Sequence, residues 1–153
     1  MMTNHAVVNT LNAGLVLRYF VSAALRTMSN FVTISGFVNA TKEDNTDELM
    51  RDLVNRGFNV VPGFGAYKGE REASLFVLPP QLDGKFSEQD MRELHRLAQW
   101  YRQESFLLAN DEGYNFVYTD GRREKVGDAL AMGEHVTLLD FHSNFAGVMF
   151  AVI

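Results

Sequence analysis

The segment FVTISGFVN (Phe31–Asn39) alternates, with Val32, Ile34 and Val38 on one side and Thr33 and Ser35 on the other. That two-residue period predicts a half-buried strand. In NTDELMRDLVNRG the period lengthens to that of a helix, with Leu49, Met50, Leu53 and Val54 on its apolar face. Asn45 is placed to cap this helix, Glu48 gives a capping-box spacing, and Gly57 is placed to end it. FNVVPGFGAY and EASLFVLPP read as two strands joined by KGER, Lys68 to Arg71. A second helix is expected from its cap Ser87 to about Gln103, with Met91, Leu94, Leu97, Ala98 and Tyr101 as its core stripe. SFLLAND and YNFVYTDG read as a hairpin around Asp111–Gly113. HVTLLDFHSNFAGVMFAVI is strand-like in two pieces, and Phe145–Ile153 is almost continuously apolar, as in a strand covered on both faces. This order predicts an α+β fold, the ferredoxin-like split β-α-β plan (β-α-β-β-α-β) with additional C-terminal strands.

Ahead of the first strand, LNAGLVLRYFVSAAL (Leu11–Leu25) is apolar but interrupted by Arg18. It is shorter than the ~20 residues a spanning helix needs and lacks a basic leader before it. Residues 1–30 are therefore expected to be an N-terminal extension, helical and packed on the body or on a neighbouring subunit; alternatively, Met28 is the native start. Residues 31–153 are expected to form a single α+β domain.

Composition narrows the chemistry. The 153-residue chain carries a formal net charge of −5 and no cluster of Lys and Arg stands out, which argues against nucleic acid as a partner. With no cysteine there is no disulfide, thiolate metal site or Cys nucleophile, in keeping with a cytoplasmic protein. No two of His5, His95, His135 and His142 have the helical spacing of a zinc pair, so no metal is expected. Asp140, His142 and Ser143 lie close in sequence without the context of a nucleophile elbow, so a triad is not expected there.

The stretch PGFGAYKGEREASLFV holds Gly63, Gly65 and Gly69 but runs on into strand sequence, where a phosphate-binding glycine loop requires a helix. Read as a hairpin with a four-residue loop, it sets Tyr67 and Glu72 opposite each other. Gly63, Gly65 and Ser74 then share their face and leave room for a flat ligand to approach the backbone. Trp100 falls off the core stripe of its helix, which together with the apolar C-terminal strand suggests a homo-oligomer.

Gly65–Tyr67, Glu72, LAQWYRQESFLL, FVYTDGRREKVG and VTLLDF together resemble, in order and spacing, the phage-encoded enzymes that cleave S-adenosylmethionine, the S-adenosylmethionine lyases once called hydrolases. The resemblance covers about residues 31–153, and in that family a longer loop separates the tyrosine from the acidic residue. It implies that the substrate's own carboxylate attacks its γ-carbon, giving homoserine lactone and 5′-methylthioadenosine, with no cofactor. Tyr67 and Glu72 would be the catalytic residues, with Gly63, Gly65 and Ser74 binding substrate. The assembly would be a trimer in the host cytoplasm, with neither nucleic acid nor membrane as a partner. The contrasting expectation is a non-catalytic module that docks on a host protein.

Overall fold

A computed structural model describes residues 16–27 and 30–153. The first part of the Leu11–Leu25 run and Met28 lie outside the described residues. The chain is a mixed helix-and-strand fold built on one large curled antiparallel sheet. The strands are β1 (Phe31–Ile34), β4 (Asn59–Tyr67), β5 (Glu70–Leu78), β6 (Ser105–Asn110), β7 (Gly113–Tyr118), β8 (Arg123–Gly127), β9 (Leu130–Met132), β10 (Phe141–Phe145) and β11 (Val148–Val152). They lie in the order β8-β7-β6-β1-β5-β4-β10-β11-β9. A short hairpin of β2 (Phe37–Val38) and β3 (Glu43–Asp44) stands apart from that sheet. The helices are α1 (16–26), α2 (Thr46–Asn55) and α3 (Glu88–Trp100).

The two outermost strands, β8 and β9, follow one another in sequence with only Asp128 and Ala129 between them. The short link brings one end of each edge strand together as the sheet curls, and the Ile153 carbonyl accepts hydrogen bonds from the N–H groups of both linking residues, at 2.9 and 3.2 Å. Rings from distant strands meet across the inside of the curl: Phe31 of β1 lies 5.8 Å from Phe150 of β11, and Phe116 of β7 lies 6.3 Å from Phe141 of β10.

Each face of the sheet has its own core. On the convex face, Val32, Ile34, Leu75, Val77, Phe106 and Leu108 pack under Leu49 and Leu53 of α2 and Leu94, Leu97 and Ala98 of α3. On the concave face, Phe31, Phe76, Phe145 and Phe150 form an aromatic cluster against which α1 lays Val21, Ala24 and Leu25. The expected N-terminal helix thus packs on the body over its described part, with Arg18 beside the β10–β11 turn at Gly147. Val16, Tyr19 and Phe20 of the same helix are exposed. Among the described residues no helix is long and apolar enough to cross a membrane.

Several local expectations change. Asn45 makes no side-chain cap to α2. Asp44 does so instead, accepting from the Thr46 N–H at 3.1 Å and from its hydroxyl at 2.6 Å. Val54 turns outward and is exposed, because α2 meets the sheet only through the Leu49–Leu53 stripe. Ser87 does cap α3 and Asp90 closes a reciprocal capping box. The segment expected as strand before Phe141 is a 3-10 helix over Glu134–Leu138.

Candidate functional site

The register of the β4–β5 hairpin decides which side chains meet. Its turn has two residues, Lys68 (φ 49°) and Gly69 (φ 84°), rather than four. Positive φ at both positions matches the twist of the flanking strands, the reason two-residue turns dominate hairpins. In consequence Tyr67 pairs with Glu70, and Glu72 pairs with Gly65. The expected face-to-face pair of Tyr67 and Glu72 is thus displaced by two positions. Alternation still leaves Gly63, Gly65, Tyr67, Glu72 and Ser74 on one face, and that face is the concave one.

The concave face changes character along every strand. On β5, Leu78 and Phe76 give way to Ser74 and Glu72; on β1, Phe31 is followed by Thr33 and then, just past its end, by Ser35. On β6, Ala109 and Leu107 lead to Ser105, and on β10 Phe145 is two places from Ser143. Antiparallel pairing aligns these changes into rows, so small polar residues gather at one end of the curl and aromatics fill the other. The result is a cavity of about 540 Å³ whose walls include Thr33, Ser35, Gly65, Glu72, Ser74, Ser105 and Ser143. Tyr67, Phe116 and Phe141 stand at its mouth with Glu70, and the β2–β3 hairpin covers one side through Phe37 and Val38. That hairpin is held by a Gln103 side-chain N–H bonded to the Phe37 carbonyl at 2.9 Å and by an Arg102–Glu43 ion pair at 3.4 Å.

The structure therefore brings together four of the five expected site residues. Gly65 is open, the nearest atom to a Cβ built there being the His142 carbonyl oxygen at 4.0 Å. Gly63 does not line the cavity: a Cβ there would run into the Asn144 carbonyl and the Phe145 ring, so this glycine serves the close approach of β10. Ser74 lines the wall while its hydroxyl donates to the Ile34 carbonyl at 3.3 Å.

Burial pushes the Glu72 carboxyl above the ordinary carboxylate range, and the Asp44 carboxylate adds to this, against lowering by Ser35 and Lys42. The help from Ser35 is limited, because its one hydroxyl proton points to the Ala73 carbonyl at 2.6 Å. Tyr67 is 57% exposed, with the Lys68 ammonium 5.3 Å from the centre of its ring. Ser35, Ser105, Ser143, Phe116 and Phe141 were not singled out as site residues from sequence. Their signal was available as small polar residues at alternate positions of strands whose other end is aromatic.

Chemically, the lining combines three carboxylates (Glu70, Glu72 and Glu104) with one guanidinium, Arg102, and with aromatic rings and hydroxyls. Such a site suits an organic cation with a flat group attached. Among the described residues no group of three or more His, Asp or Glu is placed to hold a metal. His95 lies away from this cavity, on α3. No protein-family model matches the chain, and no curated protein is similar enough to count as a relative.

Proposed function

We propose that the concave-face cavity binds S-adenosylmethionine and that the chain cleaves it by intramolecular lactonisation. The observation that carries this reading is the placement of a half-buried carboxyl, Glu72, across from the bare backbone of Gly65 in an acidic cavity ringed by aromatic side chains. Its volume of about 540 Å³ is in the range of small-molecule sites. The sulfonium gives the substrate a positive centre and adenine gives it a flat face.

In the reaction a substrate carboxylate oxygen forms a bond to the γ-carbon as the carbon–sulfur bond breaks. The electron pair goes to sulfur, leaving neutral 5′-methylthioadenosine and homoserine lactone, and no proton is transferred. Opposite charges cancel in the transition state, so a full negative charge held against the sulfonium would favour the ground state over it. Glu72 is accordingly assigned to hold a polar group of the substrate, Tyr67 to contact it through its hydroxyl, and the cavity to enforce the bent conformer. Gly65 and Ser74 complete the substrate surface.

The strand order β6-β1-β5-β4, with α2 and α3 as its crossovers, supports the finer reading of a ferredoxin-like split β-α-β core. Trp100, 78% exposed, supports a homo-oligomeric assembly, proposed as a trimer in the cytoplasm. The same residue favours the second reading, a docking module without activity. Purified protein incubated with S-adenosylmethionine should yield methylthioadenosine and homoserine lactone, and a Glu72→Gln variant should be severely slowed. No product together with no calorimetric binding of S-adenosylmethionine sinks the enzyme reading. Normal turnover by Glu72→Gln sinks only the assignment of the site. A stoichiometric partner recovered by the inactive protein would support the docking module.

A further inference from the structure

A second hollow, of about 380 Å³, lies on the convex side between α3 and the β7–β8 strands. Arg92, His95, Arg96 and Gln99 recur on one face of α3 at the spacing of successive turns, and Arg123 of β8 completes the lining. Met91 lines it at the surface, above Phe106 and Val117, which are buried in the core. No carboxylate lines it, although the chain as a whole carries a formal net charge of −5. The three guanidiniums are engaged only loosely by carboxylates at the rim. Arg96 reaches Glu93 at 3.6 Å, while Arg92–Glu88 and Arg123–Glu112 are both 4.0 Å apart. Arg92 also donates to the Gln89 side-chain carbonyl at 2.9 Å. Elsewhere the arginines make tighter pairs, Arg56–Glu93 at 2.9 Å and Arg122–Asp120 at 2.8 Å.

We propose that this hollow is a binding site for a phosphorylated small molecule carrying two or three negative charges on adjacent phosphates. Planar guanidiniums present paired N–H donors that match phosphate oxygens two at a time. Three of them facing one small volume call for clustered charge rather than a single carboxylate. The site lies on the face opposite the cavity assigned to S-adenosylmethionine and is independent of that assignment.

The test is calorimetric titration of the full chain with inorganic pyrophosphate and with ADP, at low and at physiological salt. Both should bind, and the single tryptophan, Trp100, one turn beyond Arg96, should report binding by fluorescence. Arg96→Ala and Arg123→Ala should each weaken binding about tenfold. Arg71→Ala, on another part of the surface, and Glu72→Gln should leave it unchanged. Circular dichroism confirms that each variant is folded. No binding of either probe at millimolar concentration overturns the proposal. So does weakening by Arg71→Ala equal to that by Arg96→Ala, which would mean general surface charge.

Discussion

The two faces of the sheet are built from alternate residues of the same strands, yet one is packed to its end and the other is not. On the convex face, Val32 and Ile34, Val77 and Leu75, and Leu108 and Phe106 stay apolar along the strand, and two helices cover them. On the concave face, the same strands pass from Phe31, Phe76 and Phe145 to serines, a glycine and a glutamate. Filling the second half would bury more apolar surface, at about 25 cal/mol per Å². The concave face forgoes that stabilisation in one place, and the lost packing is what makes the cavity. Polar groups follow the same division. Tyr101 on the convex side is buried and its hydroxyl is bonded to Asp52, whereas on the cavity side Ser35 and Ser74 bond to backbone, Ser35 donating to Ala73 and accepting from the Phe37 N–H and Ser74 donating to Ile34.

The sharpest way to break this contrast is at two glycines on the same strand. Gly63→Ala forces a methyl group into the Asn144 carbonyl and Phe145, and the backbone oxygen cannot swing aside. It should cost about 1–3 kcal/mol of stability, read as a lowered urea midpoint. Gly65→Ala should fold with wild-type stability, its methyl group entering open space beside Glu72, and should weaken binding of S-adenosylmethionine. Equal loss of stability in both variants would mean that the cavity is packed at Gly65 and is not an open site.

Much of this division could be read from the chain, and the rest failed for identifiable reasons. Alternation over Phe31–Asn39 and the stripe over Met91–Tyr101 are one-dimensional signals, and strand and helix follow from them; the strand nevertheless ends at Ile34 and is buried on both faces rather than one, because the second core covers the side of Phe31. The Tyr67–Glu72 register turned on whether Arg71 and Glu70 belong to the loop or to the strand, which depends on Lys68 taking a positive φ that its side chain does not advertise. The cavity's far wall was out of reach for a different reason. Ser143 comes close to Glu72 only because β10 pairs with β4 across a gap of some seventy residues, and nothing local specifies that pairing. Gly63 and Gly65 look alike in sequence, and only the position of Phe145 separates a packing glycine from a site glycine.

A smaller effect is expected where the convex face holds its polar link. Tyr101→Phe removes the hydrogen bond from α3 to Asp52 of α2 and should cost about 1 kcal/mol. Burial, with the Asp52 bond and charge, pushes this phenol up to about 12 from 10.0. Its contribution is fully present below pH 10 and is lost as pH rises through about 12. Wild-type stability should therefore fall across that window relative to Tyr101→Phe. Ser74→Ala on the concave face, which gives up only a 3.3 Å bond to a carbonyl, should change stability less at any pH. A larger loss from Ser74→Ala than from Tyr101→Phe would reverse the assignment of which face depends on its polar bonds.

The smallest stability effect is expected at Glu72, and its sign is the informative part. Burial raises this carboxyl above 4.5, so the folded state holds the proton more tightly than the unfolded chain does. The stabilisation from that proton is fully present below pH 4.5 and is lost as pH rises through the folded value. At neutral pH the ionised carboxyl is therefore a liability to the fold. Glu72→Gln carries no such charge, so its melting temperature should exceed that of the wild type near pH 7.5, and the gap should close as pH falls toward 4.5. The same substitution should slow cleavage of S-adenosylmethionine, giving a variant both more stable and less active, the signature of a residue kept for function. A variant less stable than the wild type at pH 7.5 would instead make Glu72 part of the scaffold, held by contacts that its amide cannot replace, and the cavity would lose its assigned carboxyl.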